Sequence, residues 1–468
     1  MFKTLKNAWK TPELQKKMLF TLFIVLLYRL GACIQVPYVS SDIAAAYSEA
    51  YGSSVLGLMS ILSGNAMQYA TLFALSVSPY ITASIVIQLL TIAIPALERM
   101  AKDGPEGQKK ITAITRYVTV ALALITSYGY SMLLKTNGWL VAPENTPSWF
   151  VMLVINASFC AGAALVMWLA EKINEKGIGN GISIILFANI IASLPAMGIS
   201  VWTGVIKVPY HENTTVSYVI GFAVAAVILA IVVASVGFII WVTNSERRIP
   251  ITYAKRVVGR KMYGGQSTNL PIKLNMTGVM PIIFASSIVS IPATIAAFIP
   301  NKESGFVKFI DNFFAPTTWE YLVVYLLLIV AFSYFYVMIS FNPVEVTNNI
   351  ASNGGSVRGI RPGRPTVQYI NRILKRVTLI GAIFLCLVAG LPMLVSVIST
   401  VVQNMAVDAA NEALLAGAAI PAWTSKIPDL SILTFGGSSL LIVVGVALET
   451  VRDLEAQLSL RTSKGFLD

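Results

Sequence analysis

Residues 218–242 read YVIGFAVAAVILAIVVASVGFIIWV, twenty-five residues without a charge. As a helix rising 1.5 Å per residue this segment is about 37 Å long, enough to cross a hydrocarbon core of about 30 Å. The next residues change character at once. Residues 243–275 read TNSERRIPITYAKRVVGRKMYGGQSTNLPIKLN and carry seven Lys and Arg. A long apolar run that stops at a basic loop is the pattern of a membrane helix reaching the cytoplasmic side.

Reading outward in both directions finds nine more apolar segments, at approximately 18–36, 75–94, 117–134, 150–170, 182–199, 276–299, 321–340, 377–399 and 432–449. The composition agrees: 56% of residues are hydrophobic and 12% charged, about half the charge of a soluble domain. Unbroken apolar runs are helix signals, whereas a membrane barrel alternates. The expected fold is an all-α integral membrane protein with ten transmembrane helices. The N-terminus, with Lys3, Lys6, Lys10, Lys16 and Lys17 ahead of the first span and no small-residue cleavage pattern, is not read as a cleavable signal peptide.

Lys and Arg orient these spans. With a cytoplasmic N-terminus, the inner segments hold 28 basic residues and the outer loops five; Arg29 lies inside the first span. Both termini are therefore expected in the cytoplasm, and the net charge of +12 is mostly a topology signal. Five spans precede the stretch 203–217 and five follow it. An odd number per half makes the halves enter the membrane from opposite sides, the topology of an inverted repeat. The expected division is 1–205 and 206–468. Residues 53–67 (SSVLGLMSILSGNAM) are apolar but too short to span. They fit an interfacial helix or, if protein surrounds them, a re-entrant plug.

Enzyme chemistry finds no foothold. The only histidine is His211, the three cysteines fall in apolar runs with no metal-ligand spacing, and Lys176–Gly181 (KGIGNG) does not follow a strand as a nucleotide loop should. No cofactor or metal is expected. An ion-coupled small-molecule transporter is the alternative, but such proteins carry mid-membrane acids, and these spans have Asp or Glu only at their ends. Arg29, the lone mid-span charge, is read as a partner for carbonyls or as a snorkelling side chain. Two basic loops, 243–275 and 341–372, are longer than topology requires. The second sets Arg358, Arg361 and Arg364 among Gly354, Gly355, Gly359, Pro362, Gly363 and Pro365, turn residues that stiffen a loop and project its arginines.

Those loops carry a family resemblance. ERRIPITYAKRVVGRKMYGGQSTNLPIKLN at 246–275 and GVMPIIFASSI at 278–288 resemble the SecY family, whose members form the central subunit of the bacterial Sec translocon. FNPVEVTNNI at 341–350, GIRPGRPT at 359–366, FALSVSPYITASIVIQLL at 73–90, EKGIGNGISIILFANI at 175–190 and FGGSSLLIVVGVALET at 435–450 are similar as well. The stretch 400–431 is longer than the family's usual connection there.

The resemblance implies two five-helix halves closing around an hourglass pore, hinged near 203–217, in the bacterial inner membrane. It implies a protein-conducting channel that passes unfolded polypeptides and releases apolar segments sideways into lipid. It places a pore ring on Val77, Ile81, Ile182, Leu186, Ile283 and Ile442. It places a lateral gate between the second, third, seventh and eighth helices, with Thr82, Gln88, Ser287 and Ile291, and a plug carrying Leu56, Leu58, Met59, Ile61 and Leu62. Arg247, Arg248, Arg256, Arg260, Lys261, Arg358, Arg361 and Arg364 become contacts for a motor or ribosome. Implied partners are SecE, SecG, the motor ATPase SecA, the ribosome, and substrate polypeptides with their signal sequences.

Overall fold

The computed structural model describes residues 2–51, 54–141, 143, 146–207, 214–253, 256–258, 261–263, 267–299, 305–316, 318–415 and 436–464. The chain is mostly helical. The N-terminal half begins with a short amphipathic α1 (Phe2–Lys10) and then α2 (Pro12–Gly31), which holds the first apolar run. α3 (Ile43–Tyr51) and α4 (Val55–Leu62) follow, then an irregular segment, then α5 (Ser78–Ala93). α6 (Pro95–Lys102) continues α5 after a bend of 102°. Pro95 causes that bend: Ile94, the residue before it, is pushed into extended backbone. α7 (Pro105–Thr136), α8 (Ser148–Lys176) and α9 (Gly181–Val201) complete the half, α9 running on into a π-helical turn at Trp202–Ile206.

The second half opens with α10 (Thr214–Asn244), which contains the segment quoted first. The basic loop after it is not loop. It folds into strands β1 (Glu246–Tyr253), β2 (Arg256–Val258), β3 (Lys261–Tyr263) and β4 (Ser267–Lys273). α11 (Met280–Phe298), α12 (Gly305–Phe313) and α13 (Trp319–Ser340) come next. The other basic loop is ordered too, into α14 (Pro343–Ser352), β5 (Gly355–Val357) and the first turns of α15 (Arg364–Leu415). α16 (Gly436–Lys464) ends the fold. β1 is the centre of a three-stranded antiparallel sheet, with β4 on one side and β5 on the other; Ile251 faces Thr268 and Val357. β2 and β3 form a separate two-stranded ribbon.

Each of the ten expected apolar segments coincides with helix among the described residues, on α2, α5, α7, α8, α9, α10, α11, α13, α15 and α16. Among the described residues six helices are long and apolar enough to cross a membrane, or seven if the bent α5–α6 pair is one span. α11 has a shorter apolar stretch, Met280–Ala296. In α2 and α16 charges fall within a span's length of the apolar body: Lys16, Lys17 and Arg29 in one, Glu449, Arg452 and Asp453 in the other. The helix expected at 377–399 is much longer: α15 starts in the basic loop and continues into the stretch 400–431, whose residues beyond Leu415 lie outside the described ones. The central residues of the 203–217 stretch lie outside them as well.

One hydrophobic cluster runs through both halves, drawing buried residues from α2, α5, α8, α9, α10, α11, α13, α15 and α16. A second gathers around Tyr47, Tyr130 and Phe159, all in the N-terminal half of the chain. A third, with Ile249, Ile272, Val357, Ile370 and Leu374, fastens the three-stranded sheet to α13 and α15. α8 lies close against the irregular segment before α5 because Gly162 has no side chain: a Cβ there would stand 1.9 Å from the Leu72 carbonyl oxygen.

Candidate functional site

The centre of the large cluster collects residues far apart in sequence. Val77, Ile81, Leu186, Ile283 and Ile442 are all buried within it, and the half-buried Ile182 packs against it. Val77 is the residue just before α5 rather than part of it, but its carbonyl accepts from the Ile81 amide at 3.0 Å, so the two still share the first turn. Ile182 opens α9, where the Asn180 side chain accepts its amide at 3.0 Å. The KGIGNG segment is thereby explained as a turn. Asn174 accepts from the Gly181 amide, Gly179 takes φ +75°, and a Cβ on Gly181 would strike the Ala170 carbonyl.

α4 lies inside this assembly. It packs on α3, α9 and α11, and none of its described side chains is exposed. An interfacial helix would show lipid an apolar face; the described side chains of α4, those other than Val55 and Leu58, show none. Its backbone and that of the segment after it are held from several directions. Tyr47 Oη donates to the Leu56 carbonyl, Asn189 Nδ2 to the Leu62 carbonyl, Arg29 Nη1 to the Gly64 carbonyl, and Tyr130 Oη to the Met67 carbonyl. Thr294 Oγ1 reaches Met59 Sδ at 3.5 Å. Ile61 and Leu62 face Ile442, with Ile282, Ser286, Ser438 and Ser439 around a void of about 10 Å³, near the lower limit for a single water. The Leu58 side chain and Ser53 lie outside the described residues.

Beside α4 a larger cavity of about 230 Å³ opens between α5, α7 and α11. Thr82, Ser287 and Ile291 line it, together with Ile125 from α7 and Met59 and Leu62 from α4. Its walls are apolar, studded with hydroxyls whose protons are committed to helix carbonyls: Thr82 to Ser78, Ser287 to Ile283, Thr294 to Ser290. The structure brings three of the four expected gate residues to this cavity. Gln88, further along α5, does not line it.

The two basic loops meet where β5 pairs with β1. Arg358, Arg361 and Arg364 are exposed, and among the described residues no carboxylate pairs with any of them. Arg364 begins α15 instead of lying in a loop. Arg361 sits between Gly359 at φ +82° and Gly363 at φ +99°, and buried Thr366 donates its hydroxyl to the Arg361 carbonyl at 2.8 Å. Left-handed glycines and a capped carbonyl fix the backbone, so the guanidinium projects from a preset position. On the sheet, Arg247 and Arg248 are exposed, and Arg248 Nε donates to Glu246 at 2.7 Å. Arg256 and Lys261 lie on the β2–β3 ribbon, with side chains outside the described residues; Arg260 lies wholly outside them. Lys273, at the end of β4, has its pKa lowered, chiefly by burial and then by the nearby Arg452 cation.

A polar group missed from the sequence sits between α2, α9 and the segment after α4. Tyr28, Ser76 and Asn189, buried in an otherwise apolar interior, are hydrogen-bonded to one another. Asn189 lies inside a run read only as apolar span, so a lone Asn in such a run was the signal available. Arg29 joins this group as a carbonyl partner.

The SecY family model matches residues 71–451. The chain is 39% identical to the Protein translocase subunit SecY of Streptomyces coelicolor, with 100% of each chain covered. Against the protein of the same name from Corynebacterium glutamicum it is 38% identical over 98% of this chain and 99% of that one. Among solved structures, one described as "The structure of a protein conducting channel" superposes with a TM-score of 0.56 at 15% identity, covering 94% of this chain and 92% of that one. Another, described as "The plug domain of the SecY protein stablizes the closed state of the translocation channel and maintains a membrane seal", gives 0.58 at 17% over the same shares. At such identities the structures speak for the fold; the full-length relatives and the matched family model speak for descent, and the chain belongs to the SecY family.

Proposed function

We propose that this chain is the protein-conducting channel of a translocase in the bacterial inner membrane, with both termini in the cytoplasm. The observation that carries the proposal is the junction of the two halves: apolar residues from α5, α9, α11 and α16 meet in one cluster with α4 seated against them. A pore for unfolded chains must be wide when used and tight to ions when idle. An apolar constriction meets both needs, because it dewets when empty and offers no fixed partner to a passing side chain. On this reading Val77, Ile81, Ile182, Leu186, Ile283 and Ile442 form the constriction and α4 is the plug beneath its outer side. Residues 1–205 and 206–468 act as two halves hinged near 203–217.

The cavity between α5, α7 and α11 supports a lateral gate. Its floor is α4 and its walls are helices that need only separate for an apolar segment to reach lipid. A segment of about 20 apolar residues leaves by that route because the bilayer solvates it better than water does. Thr82, Gln88, Ser287 and Ile291 are the proposed gate residues, and signal sequences the first segments to occupy it. Energy comes from outside the chain, from the SecA ATPase or from elongation on a ribosome, docked on Arg247, Arg248, Arg256, Arg260, Lys261, Arg358, Arg361 and Arg364. SecE and SecG complete the channel. A ribosome partner has support in the fold, since the chain superposes at a TM-score of 0.52 on a structure described as "Sec61 in the Canine ribosome-channel complex from the endoplasmic reticulum". The ion-coupled transporter has no comparable support: among the described residues the only buried acid is Glu171, and it is paired with Arg116 at 2.8 Å.

The test is import of a labelled precursor into proteoliposomes holding this chain, its partner subunits and the motor ATPase. ATP-dependent protection of the precursor from protease is expected. Arg361→Glu should abolish protection while leaving the chain's abundance and detergent stability unchanged, because that side chain is exposed and pairs with no carboxylate among the described residues. A wild-type chain that protects no precursor, while the same vesicles accumulate a small solute against an ion gradient, would move the assignment to a transporter.

A further inference from the structure

The carboxyl end of α4 meets polar groups where apolar packing would suffice. Asn189 on α9 is fully buried, and its Nδ2 donates to the Leu62 carbonyl at 2.9 Å and to Ser76 Oγ at 3.1 Å. Ser76 Oγ lies 3.2 Å from Tyr28 Oη on α2, and the next residue of α2, Arg29, reaches the Gly64 carbonyl with Nη1 at 3.5 Å. These are carbonyls at and just past the end of a helix, where intrahelical donors run out and the helix dipole is negative. A guanidinium and an amide there satisfy groups that would otherwise be bare.

Two observations mark this contact as more than packing. Gly64 has φ +66°, and a Cβ on it would stand 2.8 Å from Arg29 Nη1 and 3.0 Å from Asn189 Oδ1. Only glycine lets the backbone come so close. Asn189 Oδ1, moreover, is buried without a hydrogen-bond partner among the described residues. A buried orphan acceptor is a cost carried in this state. Nη1 and Oδ1 border the same point beside Gly64, so withdrawal of the segment exposes each to the other.

We propose that Arg29 and Asn189 are a two-position latch for α4. In the closed position they hold the Gly64 and Leu62 carbonyls. In the open position the Arg29 guanidinium donates to Asn189 Oδ1, and no bare charge or orphan oxygen is left in the channel wall. Both are positioning residues: they set the balance between closed and open and touch no passenger. The latch rests on the reading of α4 as a plug.

The experiment uses the full-length chain with its partner subunits in planar bilayers and in vesicles, reading resting ion conductance and export of a precursor with a defective signal sequence. Asn189→Leu removes the donors of the closed position and the acceptor of the open one. Asn189→Asp removes the same donors but gives Arg29 a stronger acceptor. Gly64→Ala pushes the segment off both. Resting conductance should rise about tenfold for Asn189→Leu and Gly64→Ala, as loss of a buried hydrogen bond implies, and further for Asn189→Asp. All three should export the defective precursor, a gain that a misfolded channel cannot produce. Normal insertion with unchanged conductance overturns the latch, and Asn189→Asp leaking no more than Asn189→Leu overturns its open position. Deletion of residues 55–62 separates two kinds of failure. A leaky deletion beside tight latch variants overturns the latch alone, whereas a tight deletion overturns the plug reading beneath it.

Discussion

Ile283 and Ile442 come from opposite ends of the second half and are both buried in the central cluster. Ile442 also meets Ile61 and Leu62 of α4 across a void too small to hold more than one water. Asn at either position would put hydrogen-bonding groups into a dry site, costing on the order of 1–3 kcal/mol while they stay unpaired. A hydrated open pore relieves that cost. Ile283→Asn and Ile442→Asn are therefore expected to raise resting conductance and to admit precursors with weakened signals, whereas Leu229→Asn on the exposed face of α10 should do neither. Patch recording paired with an export assay reads both effects at once. Sequence reasoning reached these isoleucines through a family motif, since an Ile in a membrane helix does not by itself reveal which face is lined by protein. The Asn189 group escaped it because the partners lie 48 and 113 positions apart in the chain.

Among the elements, the membrane helices were the readable part, because lipid thickness sets a length that a run of apolar residues declares. The three-stranded sheet was not read. Ile249, Ile251 and Tyr253 alternate along β1, but Pro250 and four neighbouring charges suggested a loop, and β5 is too short to show a period. The irregular segment before α5 was equally opaque: Ala70 and Ser76 take φ +45° and +50° without the glycine that would announce it. That segment is held by its neighbours, which yields a prediction. Gly162→Ala on α8 places a methyl against the Leu72 carbonyl, and overpacking of this kind costs about 1–3 kcal/mol. The apparent Tm of the variant in detergent should fall, whereas Gly198→Ala, with nothing within 4 Å of its Cβ, should leave it unchanged.

For the whole molecule, the account rests on two claims: that the basic loops share one side of the membrane and that the passenger crosses between the halves. The first predicts that, in a cysteine-free background, an impermeant maleimide labels Arg361→Cys only from the cytoplasmic side and Lys308→Cys on α12 only from outside; both residues are exposed. Charge is the ground for this expected orientation, since on that topology 28 of the 34 basic residues sort to one side. The second claim is the central one. The most direct measurement arrests a translocating polypeptide, carrying one cysteine, halfway through the reconstituted channel and scores disulfide formation with single cysteines placed in this chain. Strong cross-links at Ile81→Cys, Ile283→Cys and Ile442→Cys, with none at Leu229→Cys, are the result expected. Cross-links confined to lipid-facing positions, with the three central cysteines silent while the passenger is protected from protease, would contradict the account.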